Sequence, residues 1–408
     1  MKVLIADKFE SSGIDALKKL GFDVISKPDA GADGLPQALA EANPETLIVR
    51  STKVKAAAFE GGESGGAKNL SLIVRAGAGV DNIDMPAASA KGVYVANCPG
   101  KNAIAVAELV WSLILSCDRR VPDQVIDLRA GKWNKKEYAK ARGLYGRTLG
   151  VVGLGTIGRE VAIRGRAFGM KVLAWSRSLT AHDAEAMGLA CASSPLEIAR
   201  AADVISVNVA ATKDTDNLCN AAFFDALKPG AIFINTSRGS VVDEPSLLRA
   251  IKDKSIRAGL DVFQNEPPAA GGNAEWTSET STNPHVYGTH HIGASTDQAQ
   301  QAIADETVRI LRHYKETGAV LNCVNLCAKS PATRLLVIRH LNRPGVLAHV
   351  IGEIGKAGIN IEEMENVIYS GADAACARIR LDAEPSRNTM DSIAKGSPHV
   401  LGVSLNEI

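Results

Sequence analysis

A glycine-rich turn between an apolar run and a helical run constrains the fold of this chain more than any other feature. The turn has the spacing G-x-G-x-x-G and follows the apolar run Leu149–Val152. Glycines at this spacing allow a tight strand-to-helix turn and leave the helix N-terminus open to phosphate groups. This context predicts a dinucleotide-binding unit. The residues expected at the cofactor are Gly153, Gly155, Thr156, Ile157 and Gly158.

Strand-like apolar runs alternate with helical runs from Val3 to about Gly288, which predicts an α/β fold with doubly wound parallel sheets. The tail changes to a βαββαβ order, typical of a ferredoxin-like module. Glycines at Gly61–Gly66 predict a loop tip, and Asn102–Asp118 predicts a buried helix. The predicted domains are a discontinuous substrate-binding domain (1–98 and 291–325), an inserted dinucleotide-binding domain (99–290) and a C-terminal domain (326–408).

Composition and charge narrow the function classes. The 408 residues carry a formal net charge of +1, which gives no general attraction to nucleic acid or to anionic membranes. The seven cysteines show no disulfide framework, and Cys323 and Cys327 lack a partner pair with metal-ligand spacing. The N-terminus opens directly into a short apolar run, without a signal-peptide core. We therefore expect a cytoplasmic protein with no metal site.

The residues after the next strand bear on the type of nicotinamide cofactor. The strand Lys171–Trp175 is followed by Ser176, Arg177 and Ser178, where an acid would accept a hydrogen bond from the ribose of NAD. Arg177 suits the 2′-phosphate of NADP, or it lies solvated while NAD is bound. The sequence therefore predicts NAD with NADP as an alternative.

An arginine, a glutamate and one histidine of a neighbouring pair form a candidate catalytic set. Arg238 follows a buried strand, Glu266 follows another, and the pair His290 and His291 lies further along the chain. A guanidinium holds a carboxylate through two parallel bonds, and a glutamate orients an imidazole that moves a proton. Such a set fits the oxidation of a 2-hydroxy acid or the reduction of a 2-oxo acid.

Two motifs carry a family resemblance. The chain from Val3 to about Val324 resembles the D-isomer-specific 2-hydroxyacid dehydrogenases, through the segments Arg75–Asp84 and Thr289–Gly293. The resemblance selects His291 over His290 as the catalytic histidine and leaves the role of His290 open. It also implies that Asp261 and Gly293 lie on the nicotinamide side, and that amides of Gly77 and Ala78 hold the substrate carboxylate. The segment Asn208–Thr212 departs from the family's His-x-Pro-x-Thr, so this part of the cofactor pocket is expected to differ.

Two further arginines concern the substrate. Arg50 and Arg75 both end strands of the first domain, which indicates a second anionic group such as a phosphate. The expected substrate is therefore a phosphorylated 2-hydroxy acid. Lys135 and Lys136 have two possible interpretations. Either they add positive charge to the substrate site from a neighbouring subunit, or they form a solvated basic face.

The tail resembles an ACT regulatory domain in the segments Ile338–Leu347 and Gly358–Ile361. The resemblance implies pairing between subunits, with L-serine as an effector contacted by His340, Asn342 and Asn360. A purely oligomerising module is the alternative. The buried helix and the tail both favour a homodimer or a homotetramer.

Two other functions compete with a phosphorylated-acid dehydrogenase. An NADP-dependent glyoxylate or hydroxypyruvate reductase fits Arg177, but the ACT-like tail disfavours it. A non-catalytic dinucleotide-sensing protein belongs to a different class and has no use for an acid–base pair. Turnover of the cofactor, as opposed to binding alone, distinguishes that class from the enzymes.

Overall fold

The computed structural model describes every residue except 61–67 and 268–273, so the loop tip predicted at Gly61–Gly66 lies outside the described residues. The chain divides into two compact units, Met1–Asn325 and Leu326–Ile408. Parallel sheets in the first unit and an antiparallel sheet in the second confirm the predicted fold class.

Five short parallel strands form the first sheet, with the bounds Lys2–Ile5 (β1), Asp23–Ser26 (β2), Thr46–Val49 (β3), Leu72–Arg75 (β4) and Tyr94–Asn97 (β5). They lie in the order β2-β1-β3-β4-β5. Residues on both faces of β1 and β3 are buried, as expected for a parallel sheet covered by helices. The helical segments of this region are Ser11–Lys19 (α1), Gly31–Ala42 (α2), a 3-10 turn at Ala56–Phe59, and Met85–Ala90 (α3).

A long apolar helix, Ala103–Arg119 (α4), leads from the first sheet to the second and confirms the buried helix predicted there. Arg120 ends it in the left-handed region, at a φ of 54°. Two shorter helices follow at Val121–Arg129 (α5) and Lys135–Tyr138 (α6). The sequence had shown this stretch only as a basic segment.

Seven parallel strands form the second sheet, with the bounds Thr148–Val152 (β6), Lys171–Trp175 (β7), Ala190–Cys191 (β8), Val204–Val207 (β9), Ile232–Asn235 (β10), Arg257–Leu260 (β11) and Val286–Gly288 (β12). Their order is β12-β11-β10-β9-β6-β7-β8, so the order reverses at β6. Ligands of open α/β sheets bind outside the carboxyl ends of the strands at such a reversal. The glycine turn follows β6 at this point.

The helices around the second sheet begin with the one that follows the glycine turn. They are Thr156–Ala167 (α7), Ala181–Ala186 (α8), Pro195–Ala201 (α9), Ala221–Ala226 (α10), a 3-10 turn at Gly239–Val241, and Glu244–Lys254 (α11). The next helix, Asp297–Thr317 (α12), returns to the first sheet, where Ile303, Ile310 and Leu311 share a core with Val3 and Ile5. The predicted domain boundaries inside this unit stay a prediction.

A buried carboxylate on α12 gathers a set of partners that we call the Glu306 cluster, consisting of Glu306, Arg309, Asn322 and Lys101. Arg309 donates two hydrogen bonds to Glu306, at 2.6 and 2.9 Å, and the Asn322 amide donates a third at 2.7 Å. The ammonium of Lys101, from the segment before α4, lies 3.3 Å away. The bonds from Arg309, together with those from Asn322 and Lys101, outweigh burial and lower the pKa of Glu306 to about 2.

The second unit has the order βαββαβ, with the bounds Arg334–Leu341 (β13), Val346–Lys356 (α13), Ile361–Ile368 (β14), Ala374–Leu381 (β15), Arg387–Lys395 (α14) and Val400–Glu407 (β16). Its antiparallel sheet has the order β14-β15-β13-β16, which confirms the ferredoxin-like module. Alternate residues of β15 are fully buried under the two helices. No helix in the described parts of the chain is long and apolar enough to cross a membrane.

Candidate active site

Three neighbouring strands bring the predicted catalytic residues to one edge of the second sheet. Arg238 follows β10, Glu266 lies a few residues after β11, and His291 follows β12. These strands are parallel and adjacent, so their carboxyl ends lie side by side. The three side chains, which are far apart in the sequence, are therefore brought to the same edge.

His291 and Glu266 form a direct pair. The Nδ1 atom of His291 lies 2.8 Å from a carboxylate oxygen of Glu266, and the other oxygen accepts the Phe263 N–H at 2.8 Å. Although burial alone would raise it, these hydrogen bonds and the positive charges nearby hold the pKa of Glu266 below its usual value. The imidazole is about half exposed, so its other nitrogen is available to a substrate.

The backbone at this pair is unusual. His291 has a φ of 54° and Asn265, next to Glu266, has a φ of 56°. Residues other than glycine rarely occupy this left-handed region, although asparagine and histidine do so more often than most. The neighbouring His290 is exposed, and within the described residues its ring makes no hydrogen bond, so its role stays open.

Asp261 holds the histidine loop in place. Its buried carboxylate accepts the Thr289 hydroxyl at 2.6 Å and the N–H groups of Ile292 and Gly293, both at 2.9 Å. The N–H of His291 donates to the Asp261 carbonyl oxygen at 2.8 Å. Four hydrogen bonds thus fix the loop from one residue. The sequence had suggested only a cofactor contact for Asp261 and Gly293, and that contact stays a prediction.

Arg238 is engaged by an acid that the sequence reasoning had not assigned. Its Nη2 and Nε atoms lie 2.9 and 3.3 Å from the two carboxylate oxygens of Asp81, 157 residues away. Its Nη1 atom donates to the Ser237 carbonyl oxygen at 2.7 Å. Burial would raise the pKa of Asp81, but Arg238 lowers it below its usual value. Asp81 therefore orients the guanidinium.

A glycine loop after β4 lets two guanidinium groups lie close to the backbone. A Cβ atom at Gly77 would stand 1.6 Å from Nη1 of Arg75, and one at Gly79 would stand 2.3 Å from Nη2 of Arg238. Burial, followed by the charges of Arg238 and Arg50, lowers the pKa of Arg75. The buried Nε atom of Arg75 has no hydrogen-bond partner among the described residues. This concentration of positive charge suits an anion.

The backbone of Arg50 is fixed by a hydrogen bond to an acid of another loop. The carboxylate of Asp7 accepts the N–H groups of Arg50, Ser51 and Thr52, at 2.6, 3.1 and 3.1 Å. An acid after β1 thus fixes the loop after β3. The Asp7 contacts were missed because no local pattern links the two loops.

The predicted amide cradle after β4 is partly occupied by internal bonds. The N–H of Gly77 donates to the Arg75 carbonyl oxygen at 2.8 Å. The Ala78 carbonyl oxygen accepts the Asn97 amide at 2.6 Å. Carboxylate binding by Gly77 and Ala78 stays a prediction.

The glycine turn fits a dinucleotide. A Cβ atom at Gly153 would lie 2.6 Å from the Asn208 carbonyl oxygen, and one at Gly158 would lie 2.0 Å from the Gly153 carbonyl oxygen. Gly155 faces open space, and Thr156 and Ile157 begin α7. Gly153 and Gly158 therefore require glycine for close packing, and the open space at Gly155 leaves the N-terminus of α7 accessible to a pyrophosphate.

The predicted effector residues do not converge within one unit. His340 is buried, with ring nitrogens 2.8 Å from the Leu341 carbonyl oxygen and 3.1 Å from the Asn366 side-chain oxygen. Asn342 lies beside Asp373, at one end of β15, while Asn360 bonds Asp382 at the other end. The eight residues of β15 span roughly 24 Å, too far for one amino acid to touch both asparagines.

Comparisons with known proteins agree with this geometry. Residues 111–293 match the NAD binding domain of the D-isomer specific 2-hydroxyacid dehydrogenases. D-3-phosphoglycerate dehydrogenase of Methanocaldococcus jannaschii is 34% identical over 91% of this chain and 68% of its own length. Hydroxypyruvate reductase of Thermotoga maritima is 39% identical over 67% of this chain and 85% of its own length.

A solved structure gives the same result. The NADPH-dependent glyoxylate/hydroxypyruvate reductase of Sinorhizobium meliloti, in complex with NADP and malonate, is 28% identical, with a TM-score of 0.67 over 79% of this chain and 96% of that one. The chain spans about 60% of the length of other D-3-phosphoglycerate dehydrogenases, such as those of Archaeoglobus fulgidus and Bacillus subtilis.

Proposed function

The chain belongs to the D-isomer specific 2-hydroxyacid dehydrogenase family, and from that premise we propose that it is a D-3-phosphoglycerate dehydrogenase. It would oxidise 3-phospho-D-glycerate to 3-phosphohydroxypyruvate, in serine biosynthesis in the cytoplasm. The observation that carries the proposal is the convergence of charge from Arg50, Arg75 and Arg238 at one glycine loop. A substrate with both a carboxylate and a phosphate matches that charge.

In the proposed mechanism, the residues of this chain orient the acid and move one proton. Arg238, aligned by Asp81, holds the carboxylate. His291 donates a proton from its exposed nitrogen to the 2-oxo oxygen, and Glu266 stabilises the charged imidazole through Nδ1. In the oxidative direction neutral His291 accepts the hydroxyl proton. The nicotinamide, when bound, supplies or accepts the hydride.

The proposed cofactor-binding site consists of the glycine turn and the end of β7. Gly153, Gly155 and Gly158 bring the backbone to the pyrophosphate, and Thr156 and Ile157 present N–H groups at the start of α7. Ser176 and Arg177 would face the ribose of the adenosine. Asp261 acts on the nicotinamide side through the loop that it holds, which includes Gly293.

The substrate experiment compares 3-phosphohydroxypyruvate with hydroxypyruvate in initial-rate assays. We expect kcat/KM to favour the phosphorylated acid by at least about 100-fold, since a charged hydrogen bond contributes roughly 1.5–3 kcal/mol and two arginines are present. Arg50→Gln should reduce that ratio about tenfold, while Lys55→Gln, an exposed change five residues away, leaves it unchanged. A preference for hydroxypyruvate would overturn the proposal.

The second candidate is a hydroxypyruvate reductase. The Thermotoga maritima relative raises it with a match over 67% of this chain, but the phosphoglycerate dehydrogenase of Methanocaldococcus jannaschii matches 91%, so the first candidate is favoured. The same assay separates the two candidates, since a reductase shows the opposite preference between the two acids.

We propose that the second unit is an ACT regulatory domain that binds L-serine between two copies of the chain, in a homodimer or a homotetramer. Because Asn342 and Asn360 lie at opposite ends of β15, Asn342 and His340 of one copy would act with Asn360 of another. Serine titration tests this, and Asn360→Ala should abolish inhibition without changing the uninhibited rate. Glu362→Gln, at the partner of the Asn360 amide, is the control. Unaltered inhibition in Asn360→Ala would contradict the shared site.

A further inference from the structure

The end of β7 lacks the acid that would distinguish NAD from NADP in sequence. Ser176, Arg177 and Ser178 stand where a carboxylate usually accepts the ribose 2′-hydroxyl. Taken alone, Arg177 would favour a 2′-phosphate. Its surroundings in the fold therefore decide its effect.

A carboxylate from another loop stands beside this arginine. Nη1 of Arg177 lies 3.4 Å from a carboxylate oxygen of Asp214, and both side chains are more than two-thirds exposed. Such a pair contributes little to stability, but it changes the charge that a ligand meets. A cavity of about 320 Å³ is lined in part by Ser176 and Ser178, the two residues that flank Arg177 in the sequence.

The loop that carries Asp214 adjoins the proposed cofactor-binding site. It begins at Asn208, whose carbonyl oxygen lies against the glycine turn at Gly153. The N–H of Asn208 donates to the Val152 carbonyl oxygen at 2.7 Å, which fixes the start of the loop at the end of β6. The loop that carries Asp214 is thus anchored at the carboxyl end of β6, beside the glycine turn.

The loop is also closed on itself. The Thr215 hydroxyl donates to the Ala210 carbonyl oxygen at 2.6 Å and accepts the Thr212 N–H at 2.8 Å. The N–H of Asp216 donates to the Thr212 carbonyl oxygen at 3.0 Å. These bonds fix the backbone of the turn that carries Asp214, whose carboxylate lies opposite Arg177.

We propose that Asp214 is a specificity-determining residue that makes this enzyme prefer NAD. It supplies from the loop after β9 the acid that β7 lacks, neutralises Arg177, and repels a 2′-phosphate. The effect depends on charge and weakens with salt. This inference concerns the cofactor and is independent of which hydroxy acid is the substrate.

The test measures the dissociation constants of NADH and NADPH by nicotinamide fluorescence, without substrate and at low ionic strength. Wild type should bind NADH at least tenfold more tightly. Asp214→Asn should shift the ratio about tenfold toward NADPH, and adding Arg177→Gln should reverse most of that shift. The matched control is Asp216→Asn, an exposed acid of the same loop, which should change the ratio less than twofold.

Two outcomes would overturn the proposal. One is an Asp214→Asn variant whose ratio equals that of wild type. The other is an equal shift in Asp214→Asn and Asp216→Asn, which would show a general charge effect. Because no substrate is present, either result leaves the proposed phosphoglycerate activity untouched.

Discussion

Two carboxylates of the larger unit, Glu266 and Glu306, both have lowered pKa values, but their surroundings differ. Glu306 is 5% exposed and is held by cationic partners and an amide. Glu266 is 29% exposed, and its partner is the imidazole of His291, which is 47% exposed. A lowered pKa alone therefore does not distinguish structural from catalytic acids. The two acids differ in their partners, because only Glu266 is paired with an accessible imidazole.

The largest effect is expected for His291→Asn, since asparagine tolerates the left-handed backbone but cannot transfer the proton. Turnover should fall about 10³-fold, within the usual range for acid–base groups, while the dissociation constant of the reduced cofactor stays unchanged. Stopped-flow rates and fluorescence titration measure the two. His290→Asn is the control, with a loss below tenfold, and near-normal turnover in His291→Asn would refute the proposed role.

Glu266→Gln should have the next largest effect on turnover, a loss on the order of 10–100-fold. The lowered pKa of Glu266 means that its carboxylate is present at neutral pH and is lost only in acid below its usual range. The neutral amide no longer stabilises the protonated imidazole that 2-oxo acid reduction requires. As the pH rises, the rate of reduction should therefore begin to fall at a lower pH than in wild type. A pH–rate profile checks this, with the exposed Glu279→Gln as control. An unchanged profile would contradict the pairing.

For Glu306→Gln the expected effect is on stability. A folded pKa of about 2 against an ordinary value of 4.5 corresponds to about 3 kcal/mol of unfolding free energy at pH 7. Because the folded pKa is the lower one, this contribution is present above about pH 5 and is lost as the pH falls toward 2. Urea midpoints measured at several pH values from 7 down to 3 should show the gap between variant and wild type narrowing as the pH falls. The exposed Asp305→Asn should stay within about 0.5 kcal/mol of wild type.

Lys101→Gln should have the smallest effect. The ammonium is 40% exposed and Arg309 and Asn322 remain on Glu306, so the loss should be below about 1 kcal/mol. Urea unfolding at low and high salt measures it, with a smaller loss at high salt. A loss as large as that of Glu306→Gln would show that Lys101 is the dominant partner.

The sequence predicted what depends on local pattern. The apolar runs predicted most strands, and the spacing of the glycine turn predicted the cofactor seat. The short strands β8 and β12 escaped notice because two or three residues carry no periodicity.

Pairs formed by the fold could not be predicted. Arg238 with Asp81 and Arg177 with Asp214 join segments that only the sheet order brings together. The separation of Asn342 from Asn360 likewise depends on strand pairing, which residue types alone do not determine.

The left-handed backbone at His291 has a consequence for laboratory evolution. A non-glycine residue there costs on the order of 1 kcal/mol or more, which glycine would relieve. A library screened only for heat resistance should therefore enrich glycine at this position and yield robust but inactive clones. Screening must include turnover if thermostable catalysts are wanted.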